Sequence, residues 1–145
     1  MLLCEIGDFK YDYRVLSHGD EINTSTTYRF QAQYESIDVF ITVRDINPKL
    51  GNTYAVSFKP SDSNSYKLTG RNEDQFRITS TVTNIVKDFF STHNAYKILF
   101  SANKEEGTRV DFYDRRAVST IQKLGFELTS RKETPRNIIY WFAKK

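Results

Sequence analysis

The chain has 145 residues, of which 39% are hydrophobic and 14% aromatic, and its formal net charge is +3. This length and apolar content are typical of one folded domain and exclude a disordered chain. The mild positive charge excludes an acidic mimic of DNA and only weakly favours a nucleic-acid partner. Because the chain has a single cysteine, Cys4, and only two histidines, we predict no disulfide and no metal site.

No segment approaches the roughly 18 consecutive apolar residues of a membrane span. The first residues, Met1–Glu5, lack the basic start and long apolar core of a secretory leader. We therefore expect a cytoplasmic protein with no membrane partner.

Aromatic and β-branched residues concentrate in the first half of the chain, in segments separated by turn residues. These segments are Phe9–Val15, Tyr28–Tyr34, Val39–Arg44 and Tyr54–Phe58. Their composition predicts β-strands. In Tyr28–Tyr34, apolar and polar residues alternate, which indicates an antiparallel strand with one buried face.

After residue 70 the apolar residues change to helical spacing. The residues that recur three or four apart are Phe76, Val82, Ile85, Val86, Phe89 and Phe90. They predict a first helix, for which Asn72 or Asp74 would be the cap. Ala95–Ser101 follows as a short apolar strand.

A second helical pattern follows, formed by Val110, Tyr113, Ala117, Ile121 and Leu124. It predicts a helix of about 15 residues. Thr108–Asp111 has the form of a capping box, and Gly125 stands where a helix-ending glycine belongs. Phe126–Leu128 and Ile138–Phe142 then predict a closing hairpin.

This order of elements predicts an α+β fold with a mixed, mostly antiparallel sheet and two main helices. Tyr54–Phe58 and Ala95–Ser101 are joined through a helix, so we expect them to be parallel and the flanking strands to be antiparallel. We predict one domain over residues 1–145, with N-terminal antiparallel strands in 1–53 and a β-α-β-α-β-β core in 54–145.

The order of elements over residues 54–142 resembles the C-terminal core of the GCN5-related N-acetyltransferase (GNAT) superfamily. Leu124-Gly125-Phe126-Glu127 is similar to the end of that family's last helix. The loop Lys67–Asp74 lies where the family holds the pyrophosphate of acetyl-CoA. The resemblance implies a reduced GNAT-like, acyl-CoA N-acyltransferase-like core. The block Phe112–Arg116 also resembles small phage proteins.

The sequence departs from the GNAT pattern at three points. The loop keeps one glycine, Gly70, and Asn72 stands where a second would be. Ile121 occupies the position at which the family often carries a tyrosine as general acid. The pair of helices after the first strand is missing or reduced. The resemblance therefore implies a degraded acetyl-CoA motif.

The candidate cofactor-binding residues are Lys67, Thr69, Gly70, Arg71 and Asn72. A helix N-terminus attracts anions, and the two cations would add charge. However, Glu73 and Asp74 occupy the same helix end and would repel phosphate. An ordinary surface loop is therefore the favoured interpretation.

Tyr113 is the catalytic candidate, as a general acid, although its periodicity favours a place in the core. The candidate residues for binding nucleic acid or another partner are Arg109, Arg115, Arg116 and Lys123. At about 100° per residue, Arg109 and Arg116 share a side of the helix and Arg115 points elsewhere. Asp111 and Asp114 can pair with these arginines, so a solvated, salt-bridged helix face is the favoured interpretation.

Aromatic residues of the first strands offer a further candidate surface. Tyr11 and Tyr13 share one strand face with Phe9, and a second group is Tyr28, Phe30 and Tyr34. They can pack in the core or stack against bases. If Phe9–Val15 is an edge strand with exposed tyrosines, we expect a protein interface or a homodimer there.

Our leading hypothesis is a GNAT-like protein with a degraded acetyl-CoA motif that binds a macromolecular partner as a phage or mobile-element accessory protein. Its location would then be the host cytoplasm. One alternative is an active N-acetyltransferase, with acetyl-CoA on the loop Lys67–Gln75 and backbone donors near residues 54–60 polarising the thioester. The other alternative is a nucleic-acid-binding module that uses the basic helix.

Overall fold

The computed structural model describes residues 10–17, 25–61, 72–103 and 113–145. Seven strands form one sheet. They are β1 (Tyr13–Ser17), β2 (Ser25–Gln31), β3 (Ser36–Asn47), β4 (Gly51–Pro60), β5 (Ala95–Asn103), β6 (Phe126–Glu133) and β7 (Asn137–Lys144). Their spatial order is β1-β2-β3-β4-β5-β7-β6.

Within the described residues, two helical segments accompany the sheet. The first is α1, Asn72–Thr92, between β4 and β5. The second is a π-helical turn, Tyr113–Ala117, that continues directly into α2, Val118–Lys123. Strands β4 and β5 are parallel, and every other neighbouring pair is antiparallel. The predicted α+β fold, with a mixed, mostly antiparallel sheet and two helices, is confirmed.

The bounds of β2 and β3 differ from those predicted. β2 ends at Gln31, because a turn follows in which Ala32 N–H donates to the Glu35 carbonyl at 2.8 Å. Tyr34 lies in that turn and is 53% exposed, so it does not share a buried face with Tyr28 and Phe30. β3 is longer than predicted, with 12 residues.

The core lies between α1 and one face of the sheet. Ile78, Val82, Ile85, Val86 and Phe89 recur at helical spacing and are all buried. The strand residues that share this buried face include Ile37, Val39, Ile41, Val56, Ile98 and Phe142. Helix-on-sheet packing of this kind excludes water from both apolar faces and is the main favourable contribution to folding.

Threonines in the middle of α1 lower its helix propensity, and contacts with the sheet compensate for this. Thr79, Thr81 and Thr83 are all buried. The Thr81 hydroxyl donates to the Arg77 carbonyl at 2.7 Å and accepts from the Tyr11 N–H at 2.8 Å. The helix is therefore held by tertiary packing, as its sequence predicts.

The second helix differs from the prediction of about 15 α-helical residues. Thr108–Asp111, its predicted cap, lies outside the described residues. In the described part only Val118–Lys123 is α-helical, after the π-helical turn. Its predicted apolar side is present, since Ala117 and Ile121 are buried and Leu124 packs against the core.

Gly125 ends α2, as predicted. Its φ is +100°, a conformation that residues with a Cβ rarely adopt, and its N–H donates to the Gln122 carbonyl at 3.0 Å. A Cβ at this position would meet no atom within 4 Å. The requirement for glycine is therefore one of backbone conformation and not of space.

We expect Gly125→Ala to lower the free energy of unfolding by about 1–2 kcal/mol, the cost of a left-handed conformation for an L residue. Gly125→Asn is the matched control and should lose less, because asparagine tolerates this region better. Urea denaturation of the three proteins measures the difference. Equal stability of Gly125→Ala and the parent protein would contradict the left-handed conformation of residue 125.

Candidate functional site: a cationic cleft between the two helices

The side of α1 that faces away from the buried core carries a stripe of polar residues. Ser80, Thr83, Asn84 and Lys87 follow one another at steps of three, one and three residues, so they share one side of the helix. The stripe faces the π-helical turn and α2 across an open cleft.

The opposite wall of the cleft comes from the second helical segment. It consists of Arg115, Arg116, Ser119, Thr120, Lys123 and Leu124, and the cleft has a volume of about 750 Å³. Except for Leu124, every described residue of both walls carries a polar or charged side chain. This volume lies within the range of sites that hold small molecules or parts of larger ligands.

The cleft is strongly cationic. The described residues that line it number ten, of which four, Lys87, Arg115, Arg116 and Lys123, carry a positive charge and none is acidic. Within the described residues, no carboxylate lies within 4.0 Å of Lys87, Arg115 or Lys123. Charges of one sign that face each other across a cleft repel one another, and an anion between them relieves this repulsion.

Ser80 lies at the floor of the cleft. Only 6% of its surface is exposed, and its hydroxyl has no hydrogen-bond partner among the described residues. Its carbonyl, in contrast, accepts from the Thr83 hydroxyl at 2.9 Å and from the Asn84 amide at 2.8 Å. An unpartnered buried hydroxyl costs about 1–3 kcal/mol.

Asp114 belongs to the π-helical turn but does not pair with its neighbouring arginines, contrary to the prediction. It accepts two hydrogen bonds from Arg131 of β6, each at 3.0 Å, and one from the Tyr140 hydroxyl of β7 at 2.6 Å. Arg131 also contacts Glu133 at 2.9 Å. The one carboxylate of the turn is therefore held by the hairpin, and Arg115 and Arg116 line the cleft without it.

The orientation of the arginines also differs from the prediction. At α-helical spacing, Arg115 and Arg116 would point to different sides of the helix. In a π-helical turn the hydrogen bonds join residues five apart, so the turn is wider and α-helical spacing no longer applies. Both arginines line the cleft, together with Lys123 about two turns later.

The Asp114 contacts change the ionisation of the groups involved. Burial alone would raise the pKa of Asp114, but the hydrogen bonds from Arg131 and Tyr140 and the charge of Arg131 outweigh it and lower the pKa. Burial, followed by the bond to Asp114, raises the pKa of Tyr140. Tyr140 is therefore neutral and Asp114 ionised at neutral pH.

Several predicted site residues lie outside the described residues: Lys67, Thr69, Gly70, Arg71 and Arg109. Asn72 is the first residue of α1, and Tyr113 is the first residue of the π-helical turn. Of the predicted partner-binding residues, Arg115, Arg116 and Lys123 meet in the cleft.

The tyrosines near β1 do not form an exposed stacking platform. The ring of Tyr11 stacks on the ring of Phe30, with 5.9 Å between their centroids. The guanidinium of Arg77 also lies over the Tyr11 ring, 4.1 Å from its centroid. The Tyr13 hydroxyl donates to Asp88 of α1. β1 is an edge strand, but its exposed apolar residues are Val15 and Leu16 and not tyrosines.

A second feature lies between β4 and β5. Their parallel pairing ends at Val56 and Phe100, although β4 continues to Pro60 and β5 to Asn103. Beyond that pair, β4 keeps its partner β3 and β5 keeps its partner β7. The two strands diverge, so backbone groups of residues 57–60 on the β5 side lack a partner in β5.

Neither a protein-family model nor a curated protein matches this sequence. One similar solved structure is described as "a putative phosphinothricin N-acetyltransferase". The match covers 88% of this chain and 73% of that chain, with 9% identity and a TM-score of 0.43. The likeness is too weak to carry a cofactor, a substrate or a residue role to this chain.

Two further features of the described residues bear on the expected partners. Among the described residues, no group of three or more His, Cys, Asp or Glu side chains could hold a metal ion. No described helix has the length and hydropathy needed to cross a membrane.

The lowered pKa of Asp114 predicts acid sensitivity. A carboxyl with a lowered pKa in the folded state stabilises the fold above its unfolded-state pKa of about 4, and this stabilisation is lost as the pH falls through the folded-state value. We expect Asp114→Asn to lower the melting temperature by a few degrees at pH 7 and to have less effect near pH 2.

Thermal unfolding between pH 2 and pH 7 tests this expectation, with Asp45→Asn as the control. Asp45 is an exposed residue of β3, so its replacement should change little at any pH. The pKa of Asp38 is also lowered, mainly by the hydrogen bond from Arg29, and adds the same acid sensitivity to all three proteins. If the melting temperatures of Asp114→Asn and the parent protein differed by the same amount at every pH, the lowered pKa of Asp114 would be contradicted.

Proposed function

We propose that this protein acts by binding a macromolecular partner, and that the partner is a nucleic acid held in the cationic cleft between α1 and α2. The observation that carries the proposal is the meeting of Lys87, Arg115, Arg116 and Lys123 around one cleft, with no carboxylate among its described lining residues. Phosphate groups are the anions that such clusters of lysine and arginine bind in proteins.

The polar residues of the cleft support the same partner. Asn84, Ser119 and Thr120 can donate hydrogen bonds to phosphate or sugar oxygens, which position a strand without reading its sequence. The described tyrosines near β1 are engaged in the fold, so base stacking on them is not part of the proposal. We therefore expect binding with weak sequence preference and strong dependence on salt.

A role as a phage or mobile-element accessory protein, in the cytoplasm of a host, belongs to the same hypothesis. Its support is the resemblance of Phe112–Arg116, followed by Leu-Gly-Phe, to small phage proteins. Two of the residues in that block, Arg115 and Arg116, line the cleft. A protein partner or a second copy at the β1 edge would be compatible with this role.

An active N-acetyltransferase is the second candidate function, and one observation favours it. Where β4 and β5 diverge after Val56 and Phe100, the strands leave backbone groups that can bond an extended ligand. This is the region in which backbone donors would polarise a thioester carbonyl. Lys67, Thr69, Gly70, Arg71 and Asn72 would then hold the pyrophosphate of acetyl-CoA.

For nucleic-acid binding, we expect Arg115→Gln combined with Lys123→Gln to lower the affinity for a single-stranded oligonucleotide about tenfold or more. A hydrogen bond to a charged group contributes about 1.5–3 kcal/mol, and 1.4 kcal/mol corresponds to a factor of ten. The slope of log affinity against log salt should fall in magnitude by about 1.4, because each lost phosphate contact contributes about 0.7. Fluorescence anisotropy measures both quantities.

The matched control is Lys97→Gln combined with Lys132→Gln, which removes the same charge at two exposed strand residues outside the cleft. It should keep both the affinity and the slope. Equal losses in the two double variants would show that net charge alone attracts the oligonucleotide. Absence of binding by the parent protein at low salt would overturn the proposed function.

For the acetyltransferase, calorimetric titration with acetyl-CoA and with CoA is the test. The second candidate predicts micromolar binding that Arg71→Glu removes and that Arg115→Gln with Lys123→Gln keeps. No binding at millimolar cofactor would contradict this candidate function. The resemblance to the GNAT superfamily would then be one of fold alone.

A further inference from the structure

We propose that the face of the sheet turned away from the two helical segments packs against the same face of a second copy of this chain, about a two-fold axis at Trp141. We call this surface, centred on Leu99, Ile139 and Trp141, the second face. The inference goes beyond the proposed function and does not rest on it, because the cationic cleft lies on the other side of the sheet.

The second face carries no helix of the described chain. Both helical segments pack on the opposite face, in one buried core with Tyr140 of β7, whose hydroxyl donates to Asp114 of the π-helical turn. Because successive residues of a strand point to opposite faces, Ile139 and Trp141 point away from the helices. Trp141 is 39% exposed, and it is the single tryptophan of the chain.

The sequence of β7 is typical of a strand that is buried on both faces. Ile138–Ala143 is an unbroken run of apolar residues, whereas in β2 buried residues alternate with polar ones, as in a strand that has one face in water. The parallel pairing of β4 with β5 gives the same indication, because parallel strands are ordinarily covered on both faces. Both patterns indicate that a partner covers the second face.

The pairing of the strands joins the apolar residues of the second face into one patch. Ala55 of β4 lies beside Leu99 of β5, and Leu99 lies beside Trp141 of β7. Ile139 and Ala143 continue the patch along β7. An apolar patch that extends over neighbouring strands and reaches the surface is typical of a protein interface.

Two charged residues of the neighbouring strand β6 lie at the border of this patch. Glu127 lies beside Ala143 and Lys132 beside Ile139, so they stand on either side of the level of Trp141. Four residues of β7 separate those two levels, about 13 Å, which is too far for an ion pair within one copy. Among the described residues, neither charge has an ion-pair partner within 4.0 Å.

A second copy brings these opposite charges together. A two-fold axis that lies between the two sheets and crosses the strands at Trp141 exchanges the two ends of β6. Glu127 of one copy then faces Lys132 of the other, and the same pair forms a second time, as the symmetry of a homodimer requires. Charged residues then surround an apolar centre, which is the usual arrangement of a protein interface.

The size of the second face suits a stable dimer. At about 4.8 Å between strands and 3.3 Å per residue, the described strands span roughly 900 Å². A stable interface takes about 800 Å² from each partner. Two sheets packed face to face in this way leave both cationic clefts on the outside of the dimer.

Sedimentation equilibrium and tryptophan emission, measured together over a range of protein concentrations, test the proposal. We expect a monomer–dimer equilibrium in which the emission moves to shorter wavelength as the dimer forms, because Trp141 leaves water. Leu99→Lys should abolish both changes, since it places like charges in an apolar interface. Leu16→Lys, at an exposed residue of the β1 edge, is the matched control and should keep both.

The charged pair gives a second test that leaves the core untouched. Glu127 and Lys132 are both exposed, so their replacement should leave the melting temperature unchanged. Glu127→Lys alone should raise the dissociation constant of the dimer about tenfold, because two contacts change from attraction to repulsion. Adding Lys132→Glu to the same chain should restore the parent value, since the charges are then exchanged in both copies.

The outcomes distinguish the possible occupants of the second face. A dimer that survives Leu99→Lys and is lost in Leu16→Lys would place the interface at the β1 edge and overturn the proposal. Equal weakening by Glu127→Lys alone and by the double exchange would contradict the two-fold axis. A monomer at every concentration would also overturn the proposal, and an emission typical of buried tryptophan would then show that another part of this chain covers the face.

Discussion

The parallel pairing of β4 with β5 is the constraint on which the rest of the structure depends. It joins an antiparallel unit, β1 to β4, to a second one formed by β5, β7 and β6. A parallel connection needs a long crossover, and α1 provides it. The chain leaving β5 then places the π-helical turn and α2 on the face that α1 already covers, so the cleft between the helices follows from this connection.

A second contact decides the charge of that cleft. Asp114 is the one acidic residue of the π-helical turn, and Arg131 and Tyr140 bind it on the hairpin side. Had Asp114 paired with Arg115 or Arg116, its charge would have offset one of the three cations on that wall. The same three hydrogen bonds attach the turn to β6 and β7, so the packing that fixes the turn also keeps its carboxylate away from the cleft.

The sequence predicts the elements better than it predicts the site. The 3.6-residue period of α1 and the glycine at position 125 depend on neighbours along the chain, and both are present in the structure. Arg131 and Tyr140 follow Asp114 by 17 and 26 residues, and no local pattern in the sequence relates the three. No pattern in the sequence indicates the π-helical turn. The side of the helix predicted for Arg115 from α-helical spacing is therefore wrong.

The polar stripe on α1 can be predicted from the sequence, but its role as a wall of the cleft cannot. The spacing of Ser80, Asn84 and Lys87 on a helix with an apolar opposite side indicates a polar face, but only the position of α2 turns that face into a wall. What the described walls offer is a set of cationic and neutral polar side chains, which bind anions in proteins.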